Sequence, residues 1–179
     1  MAAASKQGRS DGDATEVRWS APIGDVYKLN TDASMVKDKG IGMGRVDRDS
    51  EGDVMMATCC GMMGIANVEL AEALSARHGL QLSVEAGLRS LIMEVDCKKL
   101  LNYLQARIYE MSPFGKIVAD ILEYASQCTF ISFAHVKRQG NKVAHLLAQM
   151  CKSAIELRVW IEEAPLEVAN GVICDKFAE

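Results

Sequence analysis

Apolar and polar residues alternate with two different periods along the chain, and the switches between them mark out the predicted elements. The stretch "VYKLNT" (Val26–Thr31) reads as a first strand. Two apolar runs then flank "DRDSEGD", a cluster of turn-forming residues, and predict a hairpin turning near Ser50 to Gly52. Glycines alternate at 40, 42 and 44, which suits a strand that another backbone approaches closely. A phosphate loop would need a helix after these glycines, and a strand follows instead. From Asn67 to Ala86 the period lengthens: Leu70, Leu74, Leu80 and Leu82, with Ala73 and Ala76, recur at helical spacing until Gly87 ends the run. "SLIMEVD" follows, apolar on both faces except for Glu94 and Asp96, as in a covered central strand. Helices are expected over Lys98 to Ala106 and from Ser112, where serine caps and Pro113 occupies the first turn. The alternating "CTFISFAHVKR" predicts a last strand, and Asn141 opens a final helix carrying "KVAHLLAQMCKSA". Strands first and alternating elements afterwards imply an α/β fold with a mixed sheet covered by helices.

Composition narrows the class. The chain has 179 residues, 49% hydrophobic and 25% charged, in the range of one globular domain. Residues 1–18 are polar and small and are expected to form a flexible tail. The ordered domain is expected over 19–154, with 155–179 as an extension that serves as a docked arm or a partner-binding tail. No apolar run reaches the roughly 18 residues of a membrane span, and the N-terminus is too polar for a secretory signal, so an intracellular protein with no membrane partner is expected. The six cysteines form no C-x-x-C pair, which argues against a zinc site or a disulfide framework. A net charge of −4 weighs mildly against a nucleic-acid partner, but lysines and arginines can still cluster locally.

Three acids stand out. Asp32 and Asp96 end the first and fourth strands; if those strands are parallel neighbours, both carboxylates emerge at one edge of the sheet, where open α/β sheets place their sites. Glu72 lies among alanines and leucines of the long helix, where an acid needs a partner. Close carboxylates raise one another's pKa unless a cation lies between them, and hard oxygen donors suit Mg²⁺ or Mn²⁺. Each acid also has a plain structural reading: Asp32 capping a turn, Glu72 snorkelling or pairing with Arg77 or Lys98, Asp96 capping the next helix.

The segments "VYKLNTDAS", "GIGMGRVDRDSEGDV", "AEALSARHGLQLSVEAGLRSLIMEVDCKKLLNYL" and "SFAHVKRQGNKVAHLLAQ" resemble the ribonuclease H family, most nearly the plant ribonuclease H-like domains found alone or at the ends of retrotransposon-type polyproteins. The C-terminal "VWIEEAP" is similar to the tail of such proteins. The resemblance implies a five-stranded mixed sheet, three antiparallel strands plus two parallel ones, flanked by helices. It also implies a monomer that hydrolyses the RNA strand of an RNA/DNA hybrid with two divalent ions, Mg²⁺ or Mn²⁺. Carried onto this sequence, it assigns metal binding to Asp32, Glu72 and Asp96, with Glu69 a weaker candidate facing substrate.

The departure lies at the fourth position. Family members usually place an aspartate in the first turn of the last helix, and here that place falls to His145, a poorer Mg²⁺ ligand. His145 is therefore a catalytic candidate or a helix-face histidine with local bonds; His135 and His78 carry no functional signal. Nucleic-acid contacts are expected from Lys137, Arg138, Asn141 and Lys142, with Lys98 and Lys99 on another helix. The stretch "RIYEMS" stands where some relatives carry a basic insertion, which predicts weak, salt-sensitive binding. A catalytically weak or inactive binding module that kept the fold is the alternative reading.

Overall fold

The glycines of the second strand decide how closely the molecule closes on itself. In a computed structural model, which describes residues 18–36, 40–64, 67–108, 110–151 and 156–177, the chain forms β1 (Tyr27–Val36), β2 (Gly40–Arg48) and β3 (Val54–Met63). There follow α1 (Val68–Glu85), β4 (Ser90–Val95), α2 (Lys98–Ala106), α3 (Pro113–Ser126) and β5 (Phe130–His135). A short 3-10 turn (Arg138–Asn141) leads into α4 (Lys142–Met150), β6 (Arg158–Ile161) and α5 (Leu166–Lys176). The predicted flexible tail falls, except for residue 18, outside the described residues, as do residues 152–154 of the expected last helix and residue 155 of the extension.

One sheet has the order β5-β4-β1-β2-β3-β6. β1, β2 and β3 run antiparallel, and β4 and β5 add to β1 in parallel. The count of five strands is corrected to six, because Arg158–Ile161 in the C-terminal extension pairs antiparallel with β3 from Met56 to Cys59. Val159 and Ile161 alternate with Arg158 and Trp160, a two-residue period too short to stand out within a segment rich in acids.

Local chemistry sets the element ends. Asn67 caps α1 by accepting the Leu70 N–H at 3.0 Å, and Gly87, at φ 84°, takes the left-handed conformation that ends it. The Asp49 carboxylate accepts from the Glu51 and Asp53 N–H groups, both at 2.9 Å, and closes the β2–β3 turn beside Gly52. Ser112 accepts the Gly115 N–H at 3.0 Å, with Pro113 in the first turn of α3, as predicted.

Helices cover both faces. On one face α1, α2 and α3 bury Leu29, Leu74, Leu80, Leu91, Met93 and Ile121 in the main core. The burial on α1 is wider than its leucine stripe: Ala71, Ala73, Ser75, Ala76 and Gly79 are buried too, and a Cβ at Gly79 would lie 2.6 Å from Thr31 Cγ2. Small residues thus let α1 lie directly on β1. On the other face α4 presses on the β2 glycines, where a Cβ at Gly42 or Gly44 would meet the carbonyl oxygens of Ala148 and Ala144 at 2.1 and 2.3 Å. A smaller core of Val46, Ala57, Cys59, Val143, Leu147 and Val168 joins α4 to α5.

Candidate metal centre

The end of the β1–β4 pairing makes the site. The two strands pair in parallel only from Tyr27↔Leu91 to Asn30↔Glu94, whereas β1 continues to Val36 on β2 alone. Asp32 therefore lies inside β1 rather than at its C-terminal end as predicted, but just beyond its last pair with β4. Asp96 follows the end of β4. The notch between the separating strands is roofed by the first turns of α1, which bring in Glu72, and by α4, which brings in His145.

Asp32, Glu72 and Asp96 each place a carboxylate oxygen within 4.8 Å of the other two. They line an open cavity of about 620 Å³ with Ser34, Glu69, Cys97, Arg138, His145 and Gln149. Asp32 is 4% exposed, and Ser75 on α1 donates its hydroxyl to the Asp32 carbonyl at 2.7 Å, fixing the strand under the carboxylate. Three of the structural readings find no support: Asp32 lies within β1 and not at a turn, Arg77 pairs with Asp120 while Lys98 is exposed, and Cys97 rather than Asp96 stands at the N-cap of α2.

Electrostatics mark these acids as incompletely compensated. Burial, then the charge of Asp96, raises the Asp32 pKa, against the lowering effect of His145. Glu72 is pushed up to about 9, by burial first and by Asp32 and Asp96 next. Asp96 is raised by burial, with Arg138 acting in the opposite direction. The three carboxyls therefore all favour the protonated form more than free carboxyls do, Glu72 most of all. Three hard oxygen donors from three separate elements, short of positive charge, fit a divalent cation of the Mg²⁺ or Mn²⁺ type.

His145 occupies the first turn of α4. Its Nδ1 lies 2.6 Å from Asp32 Oδ2, and its Nε2 lies 2.9 Å from the side-chain nitrogen of Gln149 one turn later. An amide nitrogen only donates, so Nε2 accepts and the ring proton sits on Nδ1, donated to Asp32. Gln149 escaped the sequence reading; its signal was the i,i+4 spacing from His145.

The other predicted residues divide. Lys137, Arg138 and Lys142 are exposed around the start of α4, with Arg138 at the cavity. Asn141 is 2% exposed and donates its amide to the Thr31 carbonyl at 2.9 Å, which ties the helix start to β1 instead of reaching outward or capping α4. Glu69 is drawn away from the three acids by Lys99, 2.6 Å from its carboxylate. His135 and His78 contact the Asp96 carbonyl and Cys60 Sγ, both at 3.3 Å. Among the described residues no helix is long and apolar enough to cross a membrane.

The solved structures most similar to this fold include the N-terminal RNase H domain of rv2228c from Mycobacterium tuberculosis, as a fusion with maltose binding protein. It has a TM-score of 0.63 and 22% identity, over 71% of this chain and 93% of that one. RNase H1 from the halophilic archaeon Halobacterium salinarum gives 0.62 and 18%, over 69% and 95%. LC11-RNase H1 in complex with an RNA/DNA hybrid gives 0.61 and 16%, over 70% and 95%. No curated protein matches the sequence well enough to count as a relative. The sequence profile of the family described as reverse transcriptase-like matches residues 30–151, from the middle of β1 to the end of α4, and the chain therefore belongs to that family, on a ribonuclease H fold.

Proposed function

We propose that the protein is a metal-dependent endonuclease that hydrolyses the RNA strand of RNA/DNA hybrids, with Asp32, Glu72 and Asp96 as ligands of Mg²⁺ or Mn²⁺. The observation that carries this reading is the convergence of the three carboxylates within 4.8 Å at the notch of a ribonuclease H fold. The ligand-bearing solved relative, LC11-RNase H1, holds an RNA/DNA hybrid, which supports the substrate class.

A divalent ion bound here supplies an acidified attacking water and charge stabilisation at the scissile phosphate. The chain's own residues do the rest. Asp32 is held in place by Ser75 and His145. Glu72 would hold the ion as a carboxylate, together with Asp32 and Asp96. Arg138, at the cavity, and the exposed Lys137 and Lys142 draw the nucleic-acid backbone toward the notch. Asn141 sets the position of the helix that carries His145. Selection of RNA rests on the 2′-hydroxyl groups presented in the minor groove of the hybrid. Within the family the chain is of the plant retrotransposon type, on the motifs "HVKRQGNKVAHLLA" and "VWIEEAP", and acts as an intracellular monomer.

A specific observation favours the second reading, a weak or inactive hybrid-binding module: the place of the fourth acid is taken by a histidine bonded to Asp32. Cleavage of a labelled RNA/DNA hybrid in Mg²⁺ and separately in Mn²⁺, with Asp96→Asn as control, decides between them. We expect cleavage that Asp96→Asn lowers at least about a hundredfold, the scale of losing one charge-stabilising group in a site. Hybrid binding without cleavage in either metal, from folded protein, selects the second reading.

A further inference from the structure

Both ring nitrogens of His145 are already engaged, Nδ1 with Asp32 Oδ2 and Nε2 with Gln149. The histidine therefore has no lone pair free for a metal. Its effect on Asp32 is larger than the loss of one ligand. A second ion about 3.5–4 Å from the first would have to draw on Asp32 as well. A cation on Oδ2 from the α4 side would sit about 2.1 Å from that oxygen, and that space holds the imidazole. The ring is clamped there from three directions. Gln149 fixes it from the next turn, the glycines of β2 let α4 lie against the sheet, and Asn141 ties the start of the helix to β1. The donors left to a cation are carboxylate oxygens of Glu72, Asp96 and Asp32 itself, which lie within 4.8 Å of one another in the same cavity.

We infer that His145, oriented by Gln149, stands in place of a second cation and that the protein binds a single divalent ion between Asp32, Glu72 and Asp96. The inference rests on the metal-dependent reading of the site and specifies its stoichiometry. His145 is on this account a positioning residue for Asp32, and the second ion position is closed by a hydrogen bond rather than by loss of the fold.

The test counts ions directly, without reference to activity. Purified full-length protein is titrated with Mn²⁺, and free Mn²⁺ is read by electron paramagnetic resonance. Circular dichroism confirms that each variant is folded. The expected result is one ion per chain for the wild type, two for His145→Asp, and none in the same concentration range for Asp96→Asn. Two ions in the wild type, or the same count in the wild type and His145→Asp, overturns the inference and leaves the cation site standing. A wild-type protein that binds none overturns the inference together with the metal-dependent reading beneath it.

Discussion

Two groups of buried charge share the α4 side of the sheet, one step apart along β1. Asn30 belongs to the first and Asp32 to the second. Around Asn30 the chain pairs its charged groups with one another, although Arg48 Nε is left without a partner. Its side-chain oxygen accepts from Trp19 Nε1 at 3.0 Å and from Arg48 at 3.2 Å, and its nitrogen donates to Glu94 at 2.8 Å. Lys28 pairs with Glu94 at 3.0 Å, and Arg48 pairs with Asp175 of α5 at 2.7 Å while stacking its guanidinium 3.6 Å from the Trp19 ring. Around Asp32 the positive groups near the three carboxylates, His145, His135 and Arg138, do not offset the burial, and the carboxyl pKa values rise. Burial is similar in the two places, and compensation is not. Buried charge that the chain pairs internally holds elements together; buried charge that it leaves unpaired waits for an ion.

The largest effect that separates the two groups should come from Arg48→Met. It leaves Asp175 and the Asn30 oxygen short of a partner and frees α5 from β2. Removing one partner of a buried pair costs about 3–5 kcal/mol, which for a chain of this length lowers Tm by about 10 °C. The expectation is a Tm drop of that size by calorimetry, with the same Mg²⁺-induced rise in Tm as the wild type. A drop below about 2 °C would show that Arg48 is not a structural charge.

Glu72→Gln should move stability the other way. With its pKa raised to about 9 from an ordinary 4.5, Glu72 keeps its proton in the folded state where the unfolded chain has lost it. The stabilising contribution of that retained proton is complete below about pH 4.5 and lost as pH rises through about 9. A glutamine has no proton to lose. The variant should therefore be more stable than the wild type in chelator at pH 8, with a Tm higher by at least about 4 °C, and indistinguishable from it at pH 4. It should also lose most of the Mg²⁺-induced rise in Tm. A lower Tm at pH 8 would show that the Glu72 carboxylate is compensated without a cation.

The sequence disclosed these two groups unequally, for physical reasons. Asp32, Glu72 and Asp96 were legible because each breaks a local pattern, an acid in an apolar strand or helix face; that β1 and β4 are parallel neighbours entered only as a condition, which their pairing from Tyr27↔Leu91 to Asn30↔Glu94 meets. Helix ends were legible where a side chain makes the cap, as at Ser112. Asn141 shows the limit: it looks like a cap, but its amide crosses 110 residues of sequence to reach Thr31. The Trp19–Asn30–Arg48–Asp175 network was not legible at all, since its members are far apart in sequence and each alone is ordinary. β6 was missed because four residues give too little period, and its place in the sheet comes from the edge that β3 offers. Gln149 acquires a role only through the ring it touches.

The smallest expected effect comes from a pair that is charged but not buried. Arg77 on α1 and Asp120 on α3 meet at 2.8 Å, with side chains 33% and 50% exposed, and link the same two helices as much of the main core. If charge as such decided stability, this contact would matter as much as Arg48–Asp175. Water already solvates both groups, so the pair gains little Coulomb energy and costs side-chain entropy. A double-mutant cycle with Arg77→Ala and Asp120→Ala, read by urea unfolding, should give a coupling of about 0.2–1 kcal/mol. Raising the salt concentration to about 1 M, where the screening length falls to about 3 Å, should shrink it further. The Arg48–Asp175 coupling should keep most of its value under the same conditions, because counterions cannot enter between buried groups. Equal salt sensitivity of the two pairs would erase the distinction between paired burial and exposed pairing.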